Sequence, residues 1–152
     1  FDAAIFSNLN CSGFGAIIRN EEGEVMAKMS VKGPWVHNSA KAEALTCRRA
    51  VQFSIEAGFS RLVIKGDNAL VMNAISCSTK NNSLLGHIFE DIQHLVRGLQ
   101  YASISCIKRG GNMVAHSLAR HARTISDETY WIEDSPPPAV EALYQYFLHI
   151  NQ

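Results

Sequence analysis

The chain has 152 residues, the length of a single domain, and equal numbers of basic and acidic residues, 14 of each. No uninterrupted apolar run approaches about 18 residues, so we expect no membrane-spanning segment. No basic-then-apolar leader precedes the first predicted strand, so we expect an intracellular protein, nuclear or cytoplasmic and not secreted. The four cysteines are widely spaced and form no C-x-x-C pair, which argues against a zinc site and indicates reduced thiols.

The charge is unevenly distributed along the chain. Residues 1–123 contain all 14 basic residues but only 9 acidic ones, whereas residues 124–152 contain 5 acidic residues and no Lys or Arg. A positive body of this kind suits a polyanion such as nucleic acid. Uneven solvation of ordinary surfaces explains the same distribution, and charge alone leaves both interpretations open.

The first third of the chain predicts three strands followed by a long helix. The runs "FDAAIFS", "GFGAIIRN" and "GEVMAKMSV" are strand-like, and a turn ending in Gly23 separates the last two. Asn38 and Ser39 are good N-terminal caps for a helix, which Gly58 should end. We therefore predict an antiparallel meander that packs against this helix.

Strands and helices alternate through the next part of the chain. In order they are strand "RLVIKG", helices "DNALVMNAI" and "LLGHIFEDIQHLVRGL", strand "YASISCIKR" and helix "NMVAHSLARHA". This order predicts a mixed α/β fold, in which three antiparallel strands come first in a five-stranded mixed sheet with helices on both faces.

We place the domain boundary near residue 123. Residues 124–152 form an acidic, proline-containing tail with the run "SPPP". Beyond the prolines, apolar residues at helical spacing predict a final amphipathic helix, which we expect to pack on the same domain. Its apolar stripe contains Val140, Leu143, Tyr144, Phe147 and Leu148.

Three acidic residues occupy unusual positions. Asp2 lies within an apolar strand, Glu43 lies on the core-facing side of the long helix, and Asp67 directly follows a buried strand. Each has an ordinary explanation, namely a frayed chain end, a favourable helix dipole and a helix cap. Together they describe a carboxylate cluster, which a hard divalent cation such as Mg²⁺ would stabilise. Such clusters usually serve phosphoryl chemistry.

Other kinds of site are less compatible with the sequence. The "GFG" run lacks the glycine spacing and lysine of nucleotide-binding loops, and no G-x-S-x-G sequence is present. The six histidines include no i, i+4 pair, so the sequence contains no zinc-binding helix motif.

Four motifs in order resemble the ribonuclease H domains of the plant reverse-transcriptase-like family, which are found in and derived from non-LTR retrotransposons. They are "GFGAIIRNEEGEV", "AEALTCRRAV", "VIKGDNALVMNAI" and "RGGNMVAHSLARHA", and the similarity covers residues 1–123. The resemblance implies a ribonuclease H-like fold and a chain fused to, or derived from, a reverse transcriptase.

The resemblance also implies an activity. The expected reaction is endonucleolytic hydrolysis of the RNA strand of an RNA–DNA hybrid with two Mg²⁺ (or Mn²⁺) ions. Asp2, Glu43 and Asp67 match the metal-binding, catalytic acids of the family. The hybrid would be recognised through its backbone and 2′-hydroxyls. The residues expected to contact it are Lys108, Arg109 and Asn112.

The last motif departs from the family at His116. Active enzymes commonly have N-x-x-A-D in this helix, whereas this chain has "NMVAH", so His116 stands at the catalytic aspartate position. An imidazole brings no negative charge and suits softer metals than Mg²⁺. The preceding loop, "RGG", also lacks the histidine that the active enzymes often have.

Three hypotheses remain open. The first is a ribonuclease H with reduced activity. The second is a catalytically inactive ribonuclease H-like module that binds nucleic acid or protein. The third is a protein-docking domain that uses the final helix.

Overall fold

The computed structural model describes residues 1–77, 85–126 and 128–132, together with the backbone of 146–149. A single mixed sheet forms the centre of the molecule, and helices pack on both of its faces. No helix in these ranges is long and apolar enough to cross a membrane.

The chain begins with the predicted meander. Strands β1 (Asp2–Phe6), β2 (Cys11–Arg19) and β3 (Val25–Gly33) pair antiparallel, with Asp2 opposite Gly15. The Asn20 side chain accepts hydrogen bonds from two backbone N–H groups of the β2–β3 turn, so this residue fixes the hairpin geometry.

Helix α1 (Ser39–Glu56) starts and ends where the sequence predicts. The Asn38 side chain accepts a hydrogen bond from the Lys41 N–H, which is the expected N-terminal cap. Gly58 follows the helix with φ of 98°, a left-handed conformation that glycine adopts without a steric penalty. The buried face of α1 packs against the sheet and forms the main core.

The second half of the domain builds a parallel pair of strands. Strands β4 (Arg61–Gly66) and β5 (Tyr101–Cys106) lie side by side and run in the same direction. The intervening helices are α2 (Ala69–Ser76) and α3 (Gly86–Arg97), and α4 (Met113–His121) follows β5. Because parallel strands end at the same edge of a sheet, the segments that follow β4 and β5 lie near each other.

The five-stranded sheet was an underestimate, because two strands from the tail join it within the described residues. Strand β6 (Thr129–Ile132) pairs antiparallel with β3, and strand β7 (Tyr146–His149) lies between β2 and β4. The path through the sheet is β5-β4-β7-β2-β3-β6, and β1 also pairs with β2.

The predicted final helix is therefore wrong over residues 146–149, and the remainder of that prediction lies outside the described residues. The physical reason is backbone pairing. β1 pairs only with residues 11–15 of β2, which leaves the same edge of β2 available at residues 17–19. A strand at this position gains partners on both sides, and the aromatic run "YFLH" has the composition of a strand as well as that of a helix.

Candidate active site

Three carboxylates from three separate elements meet beyond the end of β4. Asp2, Glu43 and Asp67 each contribute an oxygen atom, and these atoms all lie within 4.8 Å of one another. The structure thus brings together the three acidic residues that the sequence analysis singled out.

Asp2 is held in a central position by the pairing of β1. Its residue is only 4% exposed, so it is not a frayed chain end. The neighbouring Phe1 nitrogen donates a hydrogen bond of 3.0 Å to the Lys65 carbonyl, which aligns the start of β1 with the end of β4. Because Asp67 follows β4, this alignment brings its carboxylate close to that of Asp2.

Glu43 lies in the second turn of α1 and is 6% exposed. Its Oε1 atom accepts a hydrogen bond of 3.2 Å from the Ala3 N–H, whereas its buried Oε2 atom has no hydrogen-bond partner among the described residues. Burial, the neighbouring Asp2 carboxyl group and the charge of Asp67 together raise the pKa of Glu43 to about 9, against the opposite effect of the Phe1 amino group. Burial and the neighbouring acids therefore outweigh the effect of the Phe1 amino group on Glu43.

Asp67 does not cap the helix that follows it. The cap is Asn68, whose side chain accepts a hydrogen bond of 3.2 Å from the Val71 N–H. Asp67 instead accepts a hydrogen bond of 2.8 Å at Oδ2 from the Asn112 side-chain amide. The helix-cap explanation for Asp67 is therefore wrong, and its carboxylate is part of the cluster instead.

Asn112 precedes α4 and is fully buried. Its amide nitrogen donates both to Asp67 and to the Phe1 carbonyl, at 2.8 and 3.1 Å. Sequence reasoning missed this positioning role, although the i, i+4 spacing of Asn112 and His116 offered a signal for it. Contact between Asn112 and nucleic acid stays a prediction, and in this conformation the amide serves the protein itself.

His116 contacts the cluster one turn further along α4. Its Nδ1–H donates to Asp2 Oδ2 at 2.8 Å, while 41% of the side chain remains exposed. Donation follows from the chemistry of an ionised carboxylate, which can only accept. The histidine beside the apolar stripe of α4 is therefore paired with an acid of the site.

Two glycines of β2 allow α4 to approach the cluster this closely. A Cβ atom on Gly13 or Gly15 would overlap backbone atoms of α4, including those of Ala115 and Ala119. Without side chains at these positions, the helix rests directly on the sheet. This close contact brings Asn112 and His116 within hydrogen-bond distance of the aspartates.

The donor set fits a hard divalent cation. All three converging groups are carboxylates, the ligands that Mg²⁺ and Mn²⁺ prefer. The buried, unpartnered Glu43 Oε2 would gain a partner from such an ion, and the ion would also offset the mutual repulsion of three acids.

Lys108 and Arg109 lie near the same edge of the sheet, just beyond β5. Both side chains are exposed, and neither forms an ion pair in the described part of the chain. They form a short basic segment next to the helix that supplies Asn112 and His116.

Comparisons with known proteins agree with this geometry. Residues 1–122 match the model of the family described as reverse transcriptase-like. A search of curated protein sequences returns no match.

Solved structures with the same fold include three ribonucleases H. The RNase H1 of Halobacterium salinarum is 22% identical with a TM-score of 0.72, and the alignment covers 80% of this chain and 92% of that one. The N-terminal RNase H domain of a Mycobacterium tuberculosis protein, solved as a fusion with maltose-binding protein, is 21% identical with a TM-score of 0.67, covering 80% and 88%. LC11-RNase H1, isolated from compost by a metagenomic approach, is 21% identical with a TM-score of 0.65, covering 80% and 90%. The chain therefore belongs to the reverse transcriptase-like family and has a ribonuclease H-like fold.

Proposed function

We propose that this domain is a metal-dependent endonuclease that hydrolyses the RNA strand of RNA–DNA hybrids, with a lower activity than enzymes that have four acids at the site. The observation that carries the proposal is the convergence of Asp2, Glu43 and Asp67 within 4.8 Å around a buried, unpartnered carboxylate oxygen. We also propose that the domain is derived from a plant retroelement.

Asp2, Glu43 and Asp67 would hold the catalytic ions, two Mg²⁺ or Mn²⁺ according to the family resemblance. When bound, these ions would supply an activated water and stabilise the leaving 3′ oxygen. The carboxylates set the position of this chemistry, since Asp2 and Glu43 lie in β1 and α1, and Asp67 lies in the short connection between β4 and α2.

Neighbouring groups of the chain orient the carboxylates. The Ala3 N–H fixes Glu43, the Asn112 amide fixes Asp67, and His116 fixes Asp2. Each of these hydrogen bonds occupies one oxygen and limits rotation of the carboxylate. Such preorganisation lowers the cost of assembling the reactive geometry.

Lys108 and Arg109 are proposed to bind phosphates of the hybrid. Their exposed charges lie near the edge of the sheet that bears the carboxylates. Contacts with phosphates position a nucleic acid without reading its sequence, as an endonuclease of broad specificity requires.

The second candidate function is a catalytically inactive module that binds nucleic acid. His116 favours it, because a neutral or positive imidazole next to Asp2 contributes no negative charge to a metal site. Docking through a final amphipathic helix, the third hypothesis, loses its basis over residues 146–149, which form a strand.

The decisive experiment compares Asp67→Asn with Asp91→Asn in a hybrid-cleavage assay containing Mg²⁺ or Mn²⁺. Asp67→Asn should abolish cleavage, whereas Asp91→Asn should retain it, because Asp91 is an exposed residue of α3 paired with Arg48. Hybrid binding without cleavage by the wild-type protein in either metal would support the inactive module and reject the nuclease.

A further inference from the structure

Protein groups donate hydrogen bonds to all three carboxylates of the cluster. Helix α4 engages one oxygen of each aspartate, through His116 to Asp2 Oδ2 and through Asn112 to Asp67 Oδ2. The Ala3 N–H engages Oε1 of Glu43. Each of the three carboxylates thus has one oxygen that a protein donor already occupies.

The remaining oxygens form a small set. Glu43 Oε2 has no hydrogen-bond partner among the described residues, and the hydrogen bonds from Asn112 and His116 fall on the Oδ2 atoms of the aspartates, which leaves Asp2 Oδ1 and Asp67 Oδ1 for a ligand. Three carboxylate oxygens, completed by water, are a typical ligand set for one Mg²⁺ ion, which usually retains several waters. A second ion would need further anionic oxygens, but the other oxygen of Asp2, Oδ2, is already bonded to the His116 N–H.

From this arrangement we infer that the free protein binds a single divalent ion and that His116 is the residue that prevents a second from binding. The inference rests on the proposed function, since it assumes that the cluster is a metal site. His116 is here a positioning residue, because its hydrogen bond to Oδ2 orients the Asp2 carboxylate for one ion. It also leaves Asp2 Oδ2 without a second negative charge beside it.

Replacing His116 by aspartate should allow a second ion to bind. The change removes the N–H donor from Asp2 Oδ2 and adds a carboxylate next to it, which together provide the oxygens and the charge for another ion. His116→Asn is the conservative counterpart, because an asparagine amide can still donate to Asp2 and adds no charge. Ser117→Asp is the matched control, because it adds the same charge at an exposed position of α4.

The experiment counts bound Mn²⁺ in the absence of nucleic acid, by isothermal titration calorimetry and by the electron paramagnetic resonance signal of the free ion. We expect one ion for the wild type, His116→Asn and Ser117→Asp, and two for His116→Asp. Two ions in the wild type, or one in a folded His116→Asp, would overturn the inference.

The same titrations separate this inference from the proposed function. If the wild type binds no ion, both fail. If it binds one ion but cleaves no hybrid, the nuclease is rejected while the one-ion site stands. If it cleaves hybrid and binds two ions when free, the nuclease stands and the role of His116 is rejected.

Discussion

At the scale of single residues, the site concentrates buried negative charge. Glu43 has one engaged oxygen and one without a partner, and Asp2 beside it is almost fully buried. A buried acid destabilises the folded state when it ionises, because its charged form is poorly solvated. The proposed role of the carboxylates in metal binding would explain why the fold tolerates this cost.

The raised pKa of Glu43 predicts a pH-dependent stability of the metal-free protein. The unfolded chain loses the Glu43 proton near pH 4.5, whereas the folded protein retains it up to about pH 9. The stability contributed by the protonated side chain is therefore complete below pH 4.5 and falls as the pH rises through this window. Glu43→Gln should lose this dependence, because its amide stays neutral.

The measurement is the free energy of unfolding by urea at several pH values between 5 and 9, with EDTA present. The stability difference between wild type and Glu43→Gln should move in favour of the variant as the pH rises. Glu56→Gln, at an exposed position of α1, should follow the wild type. Parallel curves for wild type and Glu43→Gln would show that Glu43 ionises normally.

A second residue-scale prediction concerns the activity of His116→Asp. The added carboxylate beside Asp2 should raise Mg²⁺-dependent cleavage of an RNA–DNA hybrid by at least about tenfold, equivalent to ~1.4 kcal/mol of barrier. Ser117→Asp should leave the rate unchanged. A rate for His116→Asp at or below that of the wild type would show that residue 116 does not limit catalysis.

At the scale of elements, the contact between β2 and α4 determines the geometry of the site. Gly13 and Gly15 face the backbone of α4, and the Ser30 hydroxyl donates to the Leu118 carbonyl at 2.7 Å. These contacts fix the helix that presents Asn112 and His116. A small displacement of α4 would therefore change the hydrogen bonds to both aspartates.

Gly15→Ala should disturb this contact. The added methyl group would overlap the backbone of α4, and overpacking of this kind typically costs about 1–3 kcal/mol. For a domain of this size, the melting temperature should fall by roughly 2–4 °C per kcal/mol. Gly110→Ala is the matched control, because nothing lies within 4 Å of its added Cβ atom. Equal melting temperatures for the two variants would show that α4 can adapt.

The elements differ in how well the sequence predicts them. The meander and α1 were confirmed because their signals are local, namely turn residues, the Asn38 cap and the Gly58 end. The prediction for the tail failed because its strands depend on partners distant in the chain. Strand β6 pairs with β3, and strand β7 pairs with β2 and β4. A short aromatic run can suit a helix or a strand, and tertiary pairing decides between them.

In the site, too, the sequence predicts some features and not others. The positions of the three acids were predictable, since each departs from the pattern of its own strand or helix. The hydrogen bonds of Asn112 and His116 were not predictable from the pattern, because they depend on how closely α4 approaches β2. That Asn68, and not Asp67, caps α2 depends on a single side-chain geometry.

At the scale of the whole molecule, the distribution of charge suits a polyanion bound near one edge of the sheet. The segment from Ile92 to Arg123 contains five basic and no acidic residues. Lys108 and Arg109 lie in this segment beside the carboxylates, whereas Arg97 lies near the other end of β5, which begins at Tyr101. The molecule therefore offers a basic residue at a different location, Arg97, as a control for Lys108 and Arg109.

The double variant Lys108→Ala/Arg109→Ala should bind hybrid more weakly and with a smaller salt dependence. Each lost phosphate contact should reduce the slope of log K against log salt by about 0.7–0.9. Binding is measured in Ca²⁺ over a range of salt concentrations. Arg97→Ala should keep the wild-type slope, and an equal decrease in both variants would indicate diffuse attraction without a defined contact.

The most direct test of the central claim is the fate of each strand of a hybrid labelled separately on its RNA and its DNA. In Mg²⁺ or Mn²⁺, the wild-type protein should cut the RNA strand at internal positions, leave the DNA strand intact and lose this activity in EDTA. Double-stranded DNA of the same sequence should remain uncut. An intact RNA strand in both metals, or undiminished cutting by Asp67→Asn, would contradict the assignment of Asp2, Glu43 and Asp67 as the centre of a hybrid-specific nuclease.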